Sequence, residues 1–290
     1  MRKRKKLQEL TLKDNFMFGA VMVNEEICRE FLELVLGFPI EKVTVSKEKT
    51  FVYHPEYRGI RLDVVASDEK HTRYNVEMQV QYKKNLGKRT RYYHGQIDME
   101  LLTAGLEYEH LPDSYVIFIC DFDPFTQGKY KYTFEMTCKE DGKISLDDGN
   151  RTIFLNTHGK NVDEVPEGLV RFLQYVGSGA TGNENGFVQK LSEEVQNVKK
   201  SREMEERYML LEELIKEERE DAKAEGRTEG KAEGLAEAIL ILLERFGKLP
   251  EALRTRIRKE TDPEVLNQYL KKAASAKSIE EFCDSIEQQK

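Results

Sequence analysis

Asp63, Glu77 and Gln79 fall close together in the stretch "RLDVVASDEKHTRYNVEMQVQYKK", residues 61–84. Successive side chains of a β-strand alternate between faces. Glu77 and Gln79 therefore point one way, while Val76, Met78 and Val80 take the other face and supply core. If residues 60–66 pair antiparallel with 74–81 through the turn "SDEKHT", Asp63 comes to lie near Glu77. Like charges facing each other across a hairpin are destabilising unless a cation sits between them. Oxygen ligands without a histidine cluster suit Mg2+ or Mn2+ better than zinc. Such an ion polarises a phosphoryl oxygen and makes hydroxide available from water. The other reading is that both acids simply face solvent, and spacing by itself does not separate the two.

The neighbouring residues could assist. "YKKNLGKRTR" gathers Lys83, Lys84, Lys88, Arg89 and Arg91. It is either a patch for a phosphate backbone, with affinity that falls steeply as salt rises, or a solvated turn. Tyr92 and Tyr93 read as helix-face packing in preference to base stacking. Asp14, in "KDNFMF", is either a further carboxylate or the N-cap of the first helix. Asp121 and Asp123, in "CDFDPF", end a buried strand, where an Asx turn before a proline accounts for them. The five histidines are dispersed without ligand spacing, and there is no serine elbow or Walker-type glycine loop. Cys28, Cys120, Cys138 and Cys283 lack CxxC spacing and read as buried or free thiols of a reducing, cytoplasmic compartment.

These side chains need elements to hold them. "DNFMFGAVMVNEEICREFLELVLG" has helical periodicity, with Phe16, Ala20, Ile27, Phe31, Leu34 and Val35 on apolar faces, Asn24 as a cap and Gly37 as a stop. Strands follow at residues 43–52, 60–66 and 74–81. An amphipathic helix over residues 86–110 turns Ile97, Leu101 and Tyr108 to the core. "SYVIFICDF" is a buried strand, "KYTFEMTCKEDGKISL" a hairpin about Asp141-Gly142 in a type I′ turn, and "RTIFLNT" a last strand. The order predicts an α/β domain with a mixed sheet.

The 290 residues allow one large domain or two ordinary ones. With 39% hydrophobic and 34% charged residues and no Trp, a modest core plus a charged extended portion is expected. The net charge of −7 counts against wholesale coating of nucleic acid but leaves room for a local basic patch. No apolar run reaches the roughly 18 residues a membrane span requires. The basic start "MRKRKKLQEL" is followed by no apolar core, which predicts no secretory signal.

Residues 177–186, "GSGATGNENG", read as a linker between a domain at 1–176 and a charged all-α region at 187–290. In that region Gly226, Gly230 and Gly234 recur every four residues. They form either a face for a close neighbouring helix or a pliable low-complexity helix. Leu235, Ile239, Leu242 and Phe246 make an apolar stripe that must be buried. Asp262-Pro263 and Ser278 with Glu281 mark later helix starts. This end reads as an interaction or oligomerisation module.

Taken in order, "LTLKDNFMF", "RLDVVA", "NVEMQVQ" and "RTRYYHGQIDMELLTAGLEYEHLPDSYVIFICDF" resemble the PD-(D/E)XK nuclease family transposases, and with them the recombination-promoting nuclease (Rpn) group, over about residues 10–175. The charged glycine-containing helix and "RFGKLPEALRTRI" are similar to tails in that group. The resemblance implies a restriction-endonuclease-like core, a mixed sheet flanked by helices that holds acids for a divalent metal. Asp63 corresponds to the acid of the first motif, and Glu77 with Gln79 to an E-x-Q form of the second. Gln79 stands where many relatives outside this group carry Lys, and an amide orients water but offers no positive charge. The implied function is Mg2+- or Mn2+-dependent cleavage of DNA, tied to mobile elements or recombination. Asp63, Glu77 and the Met78 carbonyl would hold metal, Gln79 would place the attacking water, and a homodimer or higher homo-oligomer would form through the C-terminal helices. The rival is a decayed nuclease core that acts as a DNA-binding or assembly protein through its helical tail.

Overall fold

The computed structural model describes residues 5–51, 60–102, 105, 107–179 and 186–287. The chain divides between Tyr208 and Met209 into two compact units.

The first unit opens with α1 (Asn15–Met22) and α2 (Glu25–Leu36). Asn24 accepts the Glu26 and Ile27 N–H groups, closing donors that a helix start leaves open. Gly37 stops α2 in the left-handed region at φ 81°. A six-stranded sheet follows, made of β1 (Val43–Phe51), β2 (Ile60–Asp68), β3 (Arg73–Gln79), β4 (Ser114–Cys120), β5 (Lys131–Phe134) and β6 (Asn150–Asn156). Its spatial order is β1-β2-β3-β4-β6-β5. β1, β2 and β3 run antiparallel, β3, β4 and β6 parallel, and β5 antiparallel to β6. The sheet is therefore mixed, and every residue of central β4 is buried.

Alternation sorts the two faces. Val64, Ala66, Val76, Met78, Ile117, Ile119, Ile153 and Leu155 join the main core with α1, α2, α4 (Glu167–Ser178) and α5 (Phe187–Lys200). Val65, Val116, Phe118, Cys120 and Phe154 pack instead with Leu86, Tyr93 and Ile97 of α3 (Leu86–Leu101). The helix that crosses from β3 to β4 thus covers the face on which Glu77 and Gln79 lie.

Four expectations change. Val80 lies beyond the end of β3 and is exposed. Helix α3 ends at Leu101, with Gly105 nearby at φ 95°, and Tyr108 sits in a 3-10 turn, 81% exposed. β5 pairs with β6, where Phe134 and Phe125 pack on Phe154. The expected hairpin keeps one bridge, Thr137 to Ser145, and neither Asp141 nor Gly142 takes the positive φ that a type I′ turn needs. Finally, the small-residue stretch begins inside α4. A Cβ on Gly177 would lie 3.2 Å from Thr157, so that glycine admits a close approach. Residues 180–185 of the stretch, like Val52 and His54, lie outside the described residues.

Helix α5 belongs to the first unit. It buries Val188, Leu191, Val195 and Val198, and Lys190 bonds Glu26 and Glu30 of α2. The first turns of α6 (Arg202–Glu244) follow, with the Tyr208 ring 5.1 Å from that of Phe16.

The second unit holds the rest of α6 with α7 (Glu251–Lys259), α8 (Pro263–Ser275) and α9 (Ile279–Glu287). Ile239, Leu243, Ile257, Leu266, Ala273 and Phe282 are buried in its core. The stripe read at Leu235, Ile239, Leu242 and Phe246 packs into this core within one chain. Asp262 caps α8 ahead of Pro263 by accepting the Glu264 N–H. An added Cβ at Gly226, Gly230 or Gly234 would meet nothing within 4 Å.

Candidate active site

β2 and β3 pair in a register that sets Ser67 against Arg73 and Val64 against Val76. One step further along the same register, Asp63 faces Glu77. There each acid binds the other's strand. The Asp63 N–H donates to Glu77 Oε1 at 3.2 Å, and the Met78 N–H donates to Asp63 Oδ2 at 3.1 Å. The acids therefore take the place of ladder bonds and hold β2 and β3 together just beyond the Val64–Val76 pair. Beside this point α1 runs past β2, where a Cβ on Gly19 would lie 4.0 Å from the Asp63 carbonyl oxygen.

Helix α3 supplies the cation. Asn85 precedes it at φ 71°, a left-handed conformation that asparagine tolerates. Arg89, in the first turns, spreads its guanidinium over three partners. Nη2 donates to Glu77 Oε2 at 2.8 Å, Nη1 to Gln79 Oε1 at 2.6 Å and Nε to Tyr93 Oη at 2.6 Å. Tyr93 stands four residues on, hence on the same helix face, and its hydroxyl reaches Glu77 Oε2 at 3.4 Å. The guanidinium carbon lies 5.2 Å and 5.3 Å from the Tyr93 and Phe118 ring centres, a cation–π arrangement. Gln79 donates its amide to the Gln81 carbonyl at 2.7 Å.

Glu77 is only 2% exposed. Burial first, and the neighbouring Asp63 charge second, push its pKa up to about 7. Arg89, the Asp63 N–H and Asn75 pull the other way. A buried carboxylate near neutrality beside a second carboxylate gains from any cation that can reach it. The donor set is hard oxygen: two carboxylates, plus the Met78 carbonyl, which shares with its N–H the direction toward β2. Those residues fit a hard divalent ion with water completing its shell. Among the described residues, no three His, Cys, Asp or Glu side chains cluster as a metal site.

Asp63, Glu77 and Gln79 are thus brought together, and Asp14 stands elsewhere. Asp14 holds the N-cap position of α1 but its carboxylate bonds backward, to the Thr11 N–H at 2.9 Å and to Lys5 Nζ at 2.8 Å. The basic cluster splits. Lys83, Lys84, Lys88 and Arg91 are exposed and pair with no carboxylate among the described residues, whereas Arg89 is drawn onto Glu77. Of the two adjacent tyrosines, Tyr93 is buried in this network and Tyr92 is on the surface.

Asp121 and Asp123 have structural partners. Asp121 bonds Lys13 Nζ at 2.7 Å and the Thr157 hydroxyl at 2.9 Å. Asp123 closes a turn. Burial acts to raise its pKa, but the Gly128, Phe125 and Thr126 N–H groups and the Tyr132 hydroxyl outweigh it and hold the carboxyl below its usual range. Sequence reasoning assigned Arg89 to a phosphate contact and Tyr93 to packing. The available signal was their spacing of four with buried Ile97 a further turn on.

A family described as PD-(D/E)XK nuclease family transposase matches residues 15–227, which include Asp63, Glu77, Gln79 and Arg89. No curated protein and no solved structure matches the chain. No helix among the described residues is long and apolar enough to cross a membrane.

Proposed function

The chain belongs to the PD-(D/E)XK nuclease family transposases, and from that premise we propose that it is a divalent-metal-dependent DNA endonuclease acting in mobile-element or recombination chemistry. The observation that carries this reading is the interlock of Asp63 and Glu77 across β2 and β3, with Gln79 one step further on the same face. Asp63, Glu77 and the Met78 carbonyl would hold Mg2+ or Mn2+. The ion would supply Lewis acidity toward a phosphate oxygen and make water a stronger acid.

The chain's own groups do the rest. An amide has two N–H donors, and Gln79 spends one on the Gln81 carbonyl. The second is available to orient a water molecule at the scissile phosphate. Exposed Lys83 and Lys84, between β3 and α3, and Lys88 and Arg91, in the first turns of α3, would meet the DNA backbone as point charges screened by salt. Cutting both strands calls for two sites, and we assign self-association to the C-terminal helices. α6 exposes Leu210, Leu214 and Ile241 there.

The test is nicking of supercoiled plasmid at low salt with Mg2+, Mn2+ or EDTA, comparing the wild type with Asp63→Ala and Glu77→Ala. Metal-dependent nicking that disappears in both variants is expected, and raised salt should suppress it in the wild type. Nicking that survives both substitutions would remove the assignment of these residues. A wild type that neither cuts nor binds Mn2+ would leave an assembly protein.

A further inference from the structure

The Glu77 carboxylate has no acceptor position left. Oε1 takes the Asp63 N–H at 3.2 Å and the Asn75 amide at 3.3 Å, while Oε2 takes Arg89 at 2.8 Å and Tyr93 at 3.4 Å. An ionised carboxylate offers about four lone-pair sites, so a dication can share Glu77 only if one donor withdraws. The Asp63 N–H belongs to a strand, and Asn75 is fully buried. Tyr93 is 3% exposed and stacked on Phe118. Arg89 is the donor with room to withdraw. Its side chain is 30% exposed, and it has seats that do not involve Glu77: the Tyr93 hydroxyl, the Gln79 carbonyl and two ring faces.

We propose that Arg89 is the resident cation of this site. It neutralises Glu77 while no dication is there, yields that carboxylate when one binds, and stays on Gln79 to provide the positive charge an amide lacks. This role rests on Asp63 and Glu77 being the metal ligands. Arg89 is in this sense a positioning residue: it acts on the site through Gln79 and Glu77.

Calorimetric titration of the full chain with Mn2+ tests the role, at mildly alkaline pH so that the proton is not the competitor. Wild type, Asp63→Ala, Arg89→Met and Arg89→Lys are compared, each first shown to melt cooperatively. Removal of the competing guanidinium should tighten Mn2+ binding by about tenfold to a hundredfold in Arg89→Met, the scale of one hydrogen bond to a charged group. Arg89→Lys should fall between, because an ammonium can still sit on Glu77 but cannot fork onto Gln79 as well. At saturating Mn2+ both variants should cleave plasmid about tenfold more slowly or worse, with the loss in kcat.

Unchanged or weaker Mn2+ binding in both Arg89 variants would overturn the role of displaced cation. Undiminished cleavage at saturating Mn2+ would overturn the role on Gln79. If Arg89→Met does not fold, the Arg89→Lys titration decides by the same criteria. If the wild type binds no Mn2+, or Asp63→Ala binds it equally well, the metal-ligand reading fails and this one with it. Wild-type binding lost in Asp63→Ala but unaltered in the Arg89 variants sinks the Arg89 role alone.

Discussion

Burial shifts Glu77 and His94 in opposite directions, Glu77 upward and His94 downward. Glu77 is pushed up from 4.5 to about 7 by desolvation and by Asp63. An acid whose native pKa exceeds its unfolded value is held protonated by the fold. Its stabilisation is complete below 4.5 and drains away as pH rises toward 7. His94 is lowered from 6.5 to about 4 by burial, with the Asp148 charge opposing. It lies between the Ser114 and Thr152 hydroxyls at 2.6 Å and 3.1 Å. Its contribution is present above 6.5 and is lost as pH falls toward 4. The two partly cancel in the wild type, so single variants must separate them. Urea unfolding of the metal-free protein across these pH values should show the stability difference between wild type and Glu77→Gln shrinking as pH rises. The difference between wild type and His94→Gln should grow. A flat Glu77→Gln difference would mean that the fold does not hold that proton. At this scale Asp63, Glu77 and Gln79 are legible in the sequence because strand alternation is local. The site of Arg89 is not, because a basic residue in a basic run carries no mark of the buried carboxylate it will meet.

Helices that carry their own end signals are legible, and elements defined by distant partners are not. Asn24 and Gly37 bracket α2 as read, since capping is decided within a few residues. The hairpin of β2 and β3 follows from alternation on both strands. The partner of β5 does not, because it depends on the packing of Phe134 and Phe125 on Phe154 of β6. Helix α3 shows the same division. Its apolar face is visible through Ile97, but its start depends on Asn85 at φ 71°. That residue aims the first turns, and Arg89 with them, at the ends of β3. An ordinary side chain in this conformation costs about 1–2 kcal/mol, which glycine avoids. Asn85→Ala should therefore lower stability by about 1 kcal/mol and slow plasmid cleavage, while Asn85→Gly should leave both near the wild-type level. Urea midpoints and nicking rates measure the two effects. Equal behaviour of the two variants would show that the backbone conformation at residue 85 does not position Arg89.

At the scale of the whole molecule the question is where the unit that carries Asp63 and Glu77 ends. Composition changes at residues 177–186, where small residues replace packing ones, and a domain ending at 176 is the natural reading. Packing gives a later limit, because α5 lies beyond that stretch and buries Val188, Leu191, Val195 and Val198 in the core that also holds α1, α2 and α4. The charged tract hides this in the sequence. Helix α5 has a narrow apolar face amid Glu, Lys and Gln, and nothing local says which surface will cover it. Each fully buried aliphatic side chain contributes about 1.5–3 kcal/mol, so four of them supply about 6–12 kcal/mol as an upper bound. That is comparable with the whole stability of an ordinary domain, about 5–15 kcal/mol. A fragment ending at residue 176 should therefore melt without a cooperative transition or aggregate, having lost α5 and exposed the core it covers. A fragment ending at residue 208 keeps α5 and the contact of Tyr208 with Phe16, and should melt cooperatively. It should also nick plasmid wherever the full chain does, because Asp63, Glu77, Gln79 and Arg89 all lie within it. Calorimetric melting of the two fragments decides the matter. Cooperative melting of the shorter one would move the boundary back to the small-residue stretch, and failure of the longer one would tie the unit that carries Asp63 and Glu77 to the helices that follow.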